Sequence, residues 1–267
     1  MSAPRWALVT GAASGIGRAT AIRLAGEAWS VALADRDATA IDALAAELGP
    51  TVLPLPVDVT DPRAVAEAMA ALAARSGGRL DLLVNSAGVL HGGHFEEQPL
   101  EAVEAMVAVN TAGVARVCHF AFPLLRRSAA EGGRPAVVDL SSASSLAGIP
   151  SLAVYSATKA FVRGFTQALA LEWARHGIAV RAVAPPFVDT PMARHDCRGN
   201  PFFEAMGAAL TADEVAKAVV AAASGGPVQR LLTVKLKAAG VLARLLPSSL
   251  LGIGLALVGG YPRRPPG

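Results

Sequence analysis

Tyr155 and Lys159 stand four residues apart in an alanine-rich stretch of helical character. On a helix, positions i and i+4 share a face, so a phenol and an ammonium at this spacing can reach the same ligand. A free phenol titrates near pH ~10 and is a poor base at neutrality. A neighbouring cation stabilises the phenolate and moves it toward the working range, so the pair can carry a proton to or from an oxygen. The spacing alone is also that of an ordinary helical Tyr and Lys, although the chain has only two tyrosines.

A second chemical feature lies near the amino end, in Thr10-Gly11-Ala12-Ala13-Ser14-Gly15-Ile16-Gly17. An apolar run precedes it and a helical pattern follows. Glycines allow a sharp turn and a close backbone approach, and the N–H groups and positive dipole end of the helix then face an anion such as a pyrophosphate. Asp35 closes the next apolar run eighteen residues after Gly17, near the offset at which a carboxylate accepts the adenosine ribose hydroxyls. A strand-end cap is the plainer reading of it. A carboxylate there repels a 2′-phosphate and favours NAD, whereas Arg36 beside it could embrace that phosphate and keeps NADP as the second choice.

These groups need elements to hold them. Strands are expected at about 5–10, 29–35, 51–57, 80–85, 135–141 and 178–184, with a weaker one at 229–235. Helices are expected at about 15–28, 38–48, 61–76, 99–128, 153–176 and 211–224. Strands apolar on both faces, each followed by a helix, imply a parallel sheet covered on both sides. Right-handed crossovers then give an α/β, doubly wound Rossmann-type fold of about seven strands. Residues 1–267 read as a single domain, with 236–267 a C-terminal apolar and basic extension.

Composition agrees. Hydrophobic residues make up 53% and charged residues 17%, enough for a sizeable core, while aromatics at 5% disfavour an all-β design. The net charge of +3 is scattered, without the basic stripe that nucleic acid requires. His91 and His94 have no further ligand nearby, and Cys118 and Cys197 give neither a disulfide framework nor a metal spacing. No metal is expected. No signal segment is read at the amino end, and a cytoplasmic setting fits.

Thr-Gly-x-x-x-Gly-Ile-Gly at 10–17, Asn-Ser-Ala-Gly at 85–88, Asn110, Ser141-Ser142, Tyr-x-x-x-Lys at 155–159 and Pro185 followed by Thr190-Pro-Met192 occur together and in order. In this the chain resembles the short-chain dehydrogenase/reductase family over residues from about 5 to 224. The resemblance implies a catalytic set of Asn110, Ser142, Tyr155 and Lys159. Tyr155 would be the general acid/base, Lys159 would bind the nicotinamide ribose and lower the phenol's pKa, Ser142 would hydrogen-bond the substrate oxygen, and Asn110 would hold a water linking Lys159 to solvent. A neighbouring hydroxyl in 141–145 could replace Ser142, and Asn110 could be an ordinary helical amide. Cofactor contacts would come from Gly11, Ser14, Gly15, Ile16, Gly17, Asp35, Arg36, Asp58, Val59, Asn85, Ala87, Gly88, Pro185, Val188 and Thr190, with Tyr155 and Lys159. Ser86 and Pro186 depart from the family's usual Asn and Gly, and the second proline removes a backbone donor beside the nicotinamide.

For the substrate, His94, Ser144, Phe187, Met192, Phe202 and Met206 are expected to line an apolar pocket, although the apolar ones could instead fill the segment's own core. The expected ligand is a secondary alcohol or ketone on a steroid-like, aromatic, alicyclic or fatty frame. Residues 235–247 read as a basic amphipathic helix, and 250–258 as an apolar run too short to span a bilayer. Packing on the body or on a partner is favoured for this tail, peripheral membrane contact less so. The seam Phe161, Phe165, Leu169 and Trp173 suits a homodimer or homotetramer contact, or the chain's own sheet. The competing readings are a catalytically silent nucleotide-sensing or scaffold protein, and a lipid- or retinoid-type reductase at a membrane surface.

Overall fold

The computed structural model describes residues 4–196, Phe202 and 209–261. Seven parallel strands form the central sheet: β1 (Trp6–Thr10), β2 (Ser30–Asp35), β3 (Val52–Pro56), β4 (Leu82–Asn85), β5 (Ala136–Leu140), β6 (Ala179–Ala184) and, at one edge, β9 (Gln229–Leu231). Their order is β3-β2-β1-β4-β5-β6-β9. The chain winds outward from β1 in one direction and returns to build from β4 in the other. That reversal opens a crevice at the carboxyl ends of β1 and β4, where doubly wound sheets bind ligands.

Alternation along β1 shows how the two layers are fed. Trp6 and Leu8 enter the core cluster beneath α3 (Pro62–Ser76), α5 (Val114–Ala130) and α6 (Ala153–Ala174), together with Leu72, Leu125 and Leu169. Ala7 and Val9 enter the opposite cluster, beneath α1 (Gly15–Gly26), α2 (Ala38–Leu48) and α8 (Ala212–Ser224), with Leu24, Ile41 and Val219. Side chains alternate across a strand, so a continuous apolar run is what a sheet covered on both faces demands.

Local caps set the helix starts. Asp37 accepts from the Ala40 N–H at 3.0 Å, and Asp61 accepts from the Arg63 N–H at 2.8 Å with Pro62 at the first helical position. Thr211 and Glu214 form a reciprocal capping box at α8.

Two expectations are corrected, and a third, left open between a partner and the chain's own sheet, falls largely to the sheet. The helix expected at 99–128 is α4 (Leu100–Val107), one turn of π-helix at Ala108–Gly113, and then α5. The wide turn carries Asn110, whose side chain is drawn inward by the backbone of Val89. The strand expected at 229–235 stops at Leu231, because Thr233 caps the next helix by accepting from the Leu236 N–H at 3.2 Å. The seam on α6 turns largely inward: Leu169 is buried, Phe165 and Trp173 pack against the core, and Phe161 stays exposed.

Short strands β7 (Val188–Asp189) and β8 (Leu210–Thr211) pair in parallel, and α7 (Pro191–Asp196) follows β7 in the chain. The tail forms α9 (Val234–Leu245) and α10 (Ser248–Gly259), broken at Pro247.

Candidate active site

A cleft of about 690 Å³ runs along the carboxyl ends of the strands. One end is built by the glycine turn. Gly11 has φ +68°, and a Cβ there would lie 2.8 Å from the backbone of Ala87. A Cβ on Gly17 would lie 2.0 Å from the carbonyl oxygen of Gly11. Both must be glycine for the turn to close against α1. Gly11, Ser14, Gly15 and Ile16 line the cleft, while Gly17 shapes the turn from behind. Ser14 is the N-cap of α1 and its side chain makes no capping bond, so the first N–H groups face the cleft as an anion cradle.

Asp35 ends β2 on the same wall. Its carboxylate accepts from the N–H of Ala13 at 3.0 Å and of Asp37 at 3.1 Å. Arg36, Asp58 and Val59 continue that wall. The Thr60 N–H, which Asp58 accepts at 2.8 Å, holds the Asp58 carboxyl below its usual range, with Arg36 and Arg116 adding to the effect. Ala87 and Gly88 follow from β4, and Pro185, Val188 and Thr190 from beyond β6. Thr10 fixes the β4 end: its hydroxyl accepts from the N–H groups of Ser86 and Ala87 at 3.1 and 3.0 Å.

At the centre stand Tyr155 and Lys159, on the first turns of α6. Lys159 is buried, its Nζ donates to the carbonyl of Leu140 at 2.9 Å, and it lies 5.6 Å from the centroid of the Tyr155 ring. Burial pushes the ammonium down to about 8, while the buried carboxylate of Asp139 works in the opposite direction. Ser142 caps a short 3-10 turn at Ala143–Ser145, accepting from the Ser144 N–H at 3.2 Å, and lines the cleft. The hydroxyl of Ser141 instead donates to the carbonyl of Lys159 at 3.2 Å. Both serines line the cleft, but their hydroxyls differ: that of Ser141 is committed to the α6 backbone, whereas that of Ser142 only accepts from the Ser144 N–H.

Asn110 is fully buried and does not reach the cleft wall. Its amide donates to the Val89 carbonyl at 2.8 Å and to Thr158 at 3.2 Å, and its oxygen accepts from the Val89 N–H at 2.8 Å. It clamps the strand end that carries Ala87 and Gly88 against α6.

Asn85 departs from its expected cofactor role. Its side chain turns away from the cleft and donates to Asp139 at 2.8 Å and to the sulfur of Cys118 at 3.2 Å. Asp139 also accepts from Thr166 at 2.8 Å. Burial pushes the Asp139 carboxyl up, against the pull of Asn85, Thr166 and Lys159. Burial also pushes the Cys118 thiol well up, with the Asp139 charge adding to it. This network joins β4, β5, α5 and α6 beneath the site. Sequence reading missed Asp139; a charged residue inside the apolar run 136–140 was the available signal.

Of the expected substrate residues, Ser144, Phe187, Met192 and Phe202 line the cleft. His94 does not: it is exposed, and its ring meets Tyr261 edge-on at 6.0 Å. Met206 lies outside the described residues. The unexpected contribution comes from the tail, where Leu236, Ala239 and Ala243 of α9 and Leu251, Leu255 and Val258 of α10 line the same cleft. The tail therefore packs on the body, as the favoured reading had it, and on the body's functional face.

The cleft fits a dinucleotide on its own geometry. The glycine turn leaves no room for a Cβ, the helix N-terminus offers donors, and a carboxylate stands where ribose hydroxyls would be met.

Comparison with known proteins agrees with this geometry. The short chain dehydrogenase family model matches residues 5–200. The chain is 37% identical to a sorbitol dehydrogenase of Cereibacter sphaeroides over 184 residues, 68% of this chain and 70% of that protein. It is 37% identical to a 3-hydroxyacyl-CoA dehydrogenase type-2 of Drosophila melanogaster over 193 residues, 69% of this chain and 75% of that protein. Among solved structures, a 3-ketoacyl-(acyl-carrier-protein) reductase from Brucella melitensis complexed with NADH superimposes with a TM-score of 0.79 at 30% identity, covering 86% of this chain and 97% of that one. The chain belongs to the short-chain dehydrogenase/reductase family of nicotinamide-dependent oxidoreductases.

Proposed function

We propose that this protein is an NAD-dependent alcohol dehydrogenase or ketoreductase acting on a secondary alcohol or ketone carried by a hydrophobic frame. One observation carries the reading: Tyr155, Lys159 and Ser142 border a cleft with a nucleotide cradle at one end and an apolar wall at the other. When bound, the nicotinamide supplies or takes up the hydride. Tyr155 gives a proton to the substrate oxygen in reduction and takes it back in oxidation. Lys159 favours the phenolate through its charge and binds the nicotinamide ribose, and Ser142 orients the oxygen. Asn110 acts as a positioning residue through Val89. The cradle Gly11–Ile16, with Asp35, Arg36, Asp58 and Val59 at the adenosine end, would hold the cofactor. Asp35 supports NAD, since a 2′-phosphate beside its carboxylate would be repelled; Arg36 keeps NADP as the alternative.

The relatives support the reaction class, being named as dehydrogenases or a reductase of hydroxyl- and keto-bearing compounds. A screen of apolar secondary alcohols with NAD and of ketones with NADH, followed by nicotinamide absorbance, tests the proposal. Turnover of at least one apolar pair is expected. Cofactor binding without turnover of any of them would favour the silent nucleotide-binding reading instead.

We further propose association as a homodimer or homotetramer through the helices at 100–130 and 153–174, where Leu100 and Val107 of α4 and Phe161 and Leu171 of α6 are uncovered. Light scattering of the eluted protein checks it; a monomer would contradict it. A cytoplasmic location is part of the same reading.

The outer side of the tail favours a second partner. Val241, Leu242 and Leu245 of α9 and Leu250, Ile253 and Leu257 of α10 are exposed, and α10 carries no charged residue. From Val234 onward the chain has no Asp or Glu, but has Lys235, Lys237, Arg244, Arg263 and Arg264. A symmetric contact between two tails would oppose like charges, whereas anionic headgroups complement them. Each helix has 12 residues, too few to span a bilayer but enough to lie in its surface. Sedimentation with vesicles of phosphatidylcholine and phosphatidylglycerol should pull the protein down, and vesicles of phosphatidylcholine alone should not. No binding to either, or loss of a dimer in Leu245→Ser, would overturn it.

A further inference from the structure

We infer that α9 and α10 carry a substrate subsite of their own, an apolar trough that takes an unbranched aliphatic chain attached to the reacting carbon. The inference rests on the oxidoreductase reading above. The residues that each helix turns to the cleft follow a single stripe: Leu236, Ala239 and Ala243 on α9, and Leu251, Leu255 and Val258 on α10. Spacings of three, four and seven residues keep a stripe on one helix face. A stripe of this length runs roughly 10 Å at the helical rise per residue. That suits an elongated ligand better than a compact one. The alanines of α9 leave width where the leucines of α10 add bulk, and none of the six can pair a carboxylate or phosphate. Such a wall accepts hydrocarbon and disfavours unpaired polar groups.

The trough is fixed to the catalytic segment. A Cβ on Gly240 would stand 2.9 Å from Leu231 and 3.6 Å from Leu146, so the backbone of α9 sits directly on the loop after Ser142. Past α10, the hydroxyl of Tyr261 hydrogen-bonds that of Ser151 at 2.8 Å. Ser151 holds a left-handed conformation at φ +63°, and its carbonyl also accepts from the Gly93 N–H at 3.0 Å. The ring of Tyr261 meets His94 edge-on. At the other side, a Cβ on Gly259 would lie 2.8 Å from the Phe202 ring. The segment that places Ser142 thus also carries the fastening of the roof, so the oxygen-binding and chain-binding ends of the site keep one distance. The trough lies wholly beyond residue 200, where the family match ends.

The test uses the full chain with NADH and straight-chain methyl ketones lengthened one methylene at a time. Both kcat/KM and affinity by calorimetry should rise about fourfold per methylene until the trough is full, then level off. Ala243→Trp should lower the ratio of long-chain to short-chain kcat/KM by about tenfold or more, the worth of two methylenes. Ala243→Leu and Tyr261→Phe, milder changes that guard against misfolding, should lower it in the same direction. Turnover with no dependence on chain length, or a dependence that all three variants leave intact, overturns the trough. A chain-length gradient in binding with no turnover leaves the trough standing and overturns the proposed activity.

Discussion

The ammonium of Lys159 stands 5.6 Å from the centroid of the Tyr155 ring while donating 2.9 Å to the carbonyl of Leu140. The two side chains share a helix face, but the helix alone would leave the lysine free to swing toward solvent. The Leu140 carbonyl, at the end of β5, holds it beneath the cleft. The buried carboxylate of Asp139, one residue earlier, offsets part of the cost of keeping a cation there.

Asp139 accepts from both Asn85 and Thr166 in a fully buried setting. Replacing it with Ala leaves two donors unsatisfied and should cost about 3 kcal/mol of stability. Asp139→Asn, which keeps an acceptor, should cost less. Urea unfolding measures both; a loss below about 0.5 kcal/mol in the Ala variant would show that the network is not structural.

Lys159 gives a pH dependence with a definite sign. Its folded value near 8 lies below the ordinary 10.5. Between those values the unfolded chain holds a proton that the folded chain has released, so stability rises with pH across that window. At lower pH both states are charged and the full cost of burial is felt. Lys159→Met should flatten the rise, seen by comparing urea midpoints of the two proteins from neutral to alkaline pH. Parallel curves would refute it.

The proposed preference for NAD rests on Asp35. Asp35→Ser removes the carboxylate and leaves Arg36, so the ratio of NADPH to NADH affinity should increase about tenfold or more. Fluorescence titration with both nucleotides reads that ratio. An unchanged ratio would move the discrimination elsewhere.

Much of the fold was legible because its signals are local. Apolar runs such as 5–10 and 135–141 are continuous when both faces of a parallel sheet are covered, and Thr211 with Glu214 marks a helix start outright. The π-helical turn at Asn110 was not legible, since it depends on Val89, which is remote in sequence. Asn85 was misplaced for the same reason: its motif gave its position, but the direction of its side chain is set by Asp139 and Cys118 across the sheet. The tail's pattern gave one amphipathic helix and an apolar run, yet only the packed chain shows that the run is a second helix and that one stripe of each faces the cleft. His94 was misplaced because its exposed ring meets Tyr261, a contact remote in sequence, and does not line the cleft.

The central claim is that Tyr155 transfers the proton. The direct measurement is Tyr155→Phe with NADH and the best ketone from the screen, taking kcat/KM together with the NADH dissociation constant. The variant keeps the ring and loses the hydroxyl. Its kcat/KM should fall by about a hundredfold to ten-thousandfold while NADH affinity changes little. Turnover within a few-fold of the parent protein, at unchanged cofactor affinity, would contradict the account.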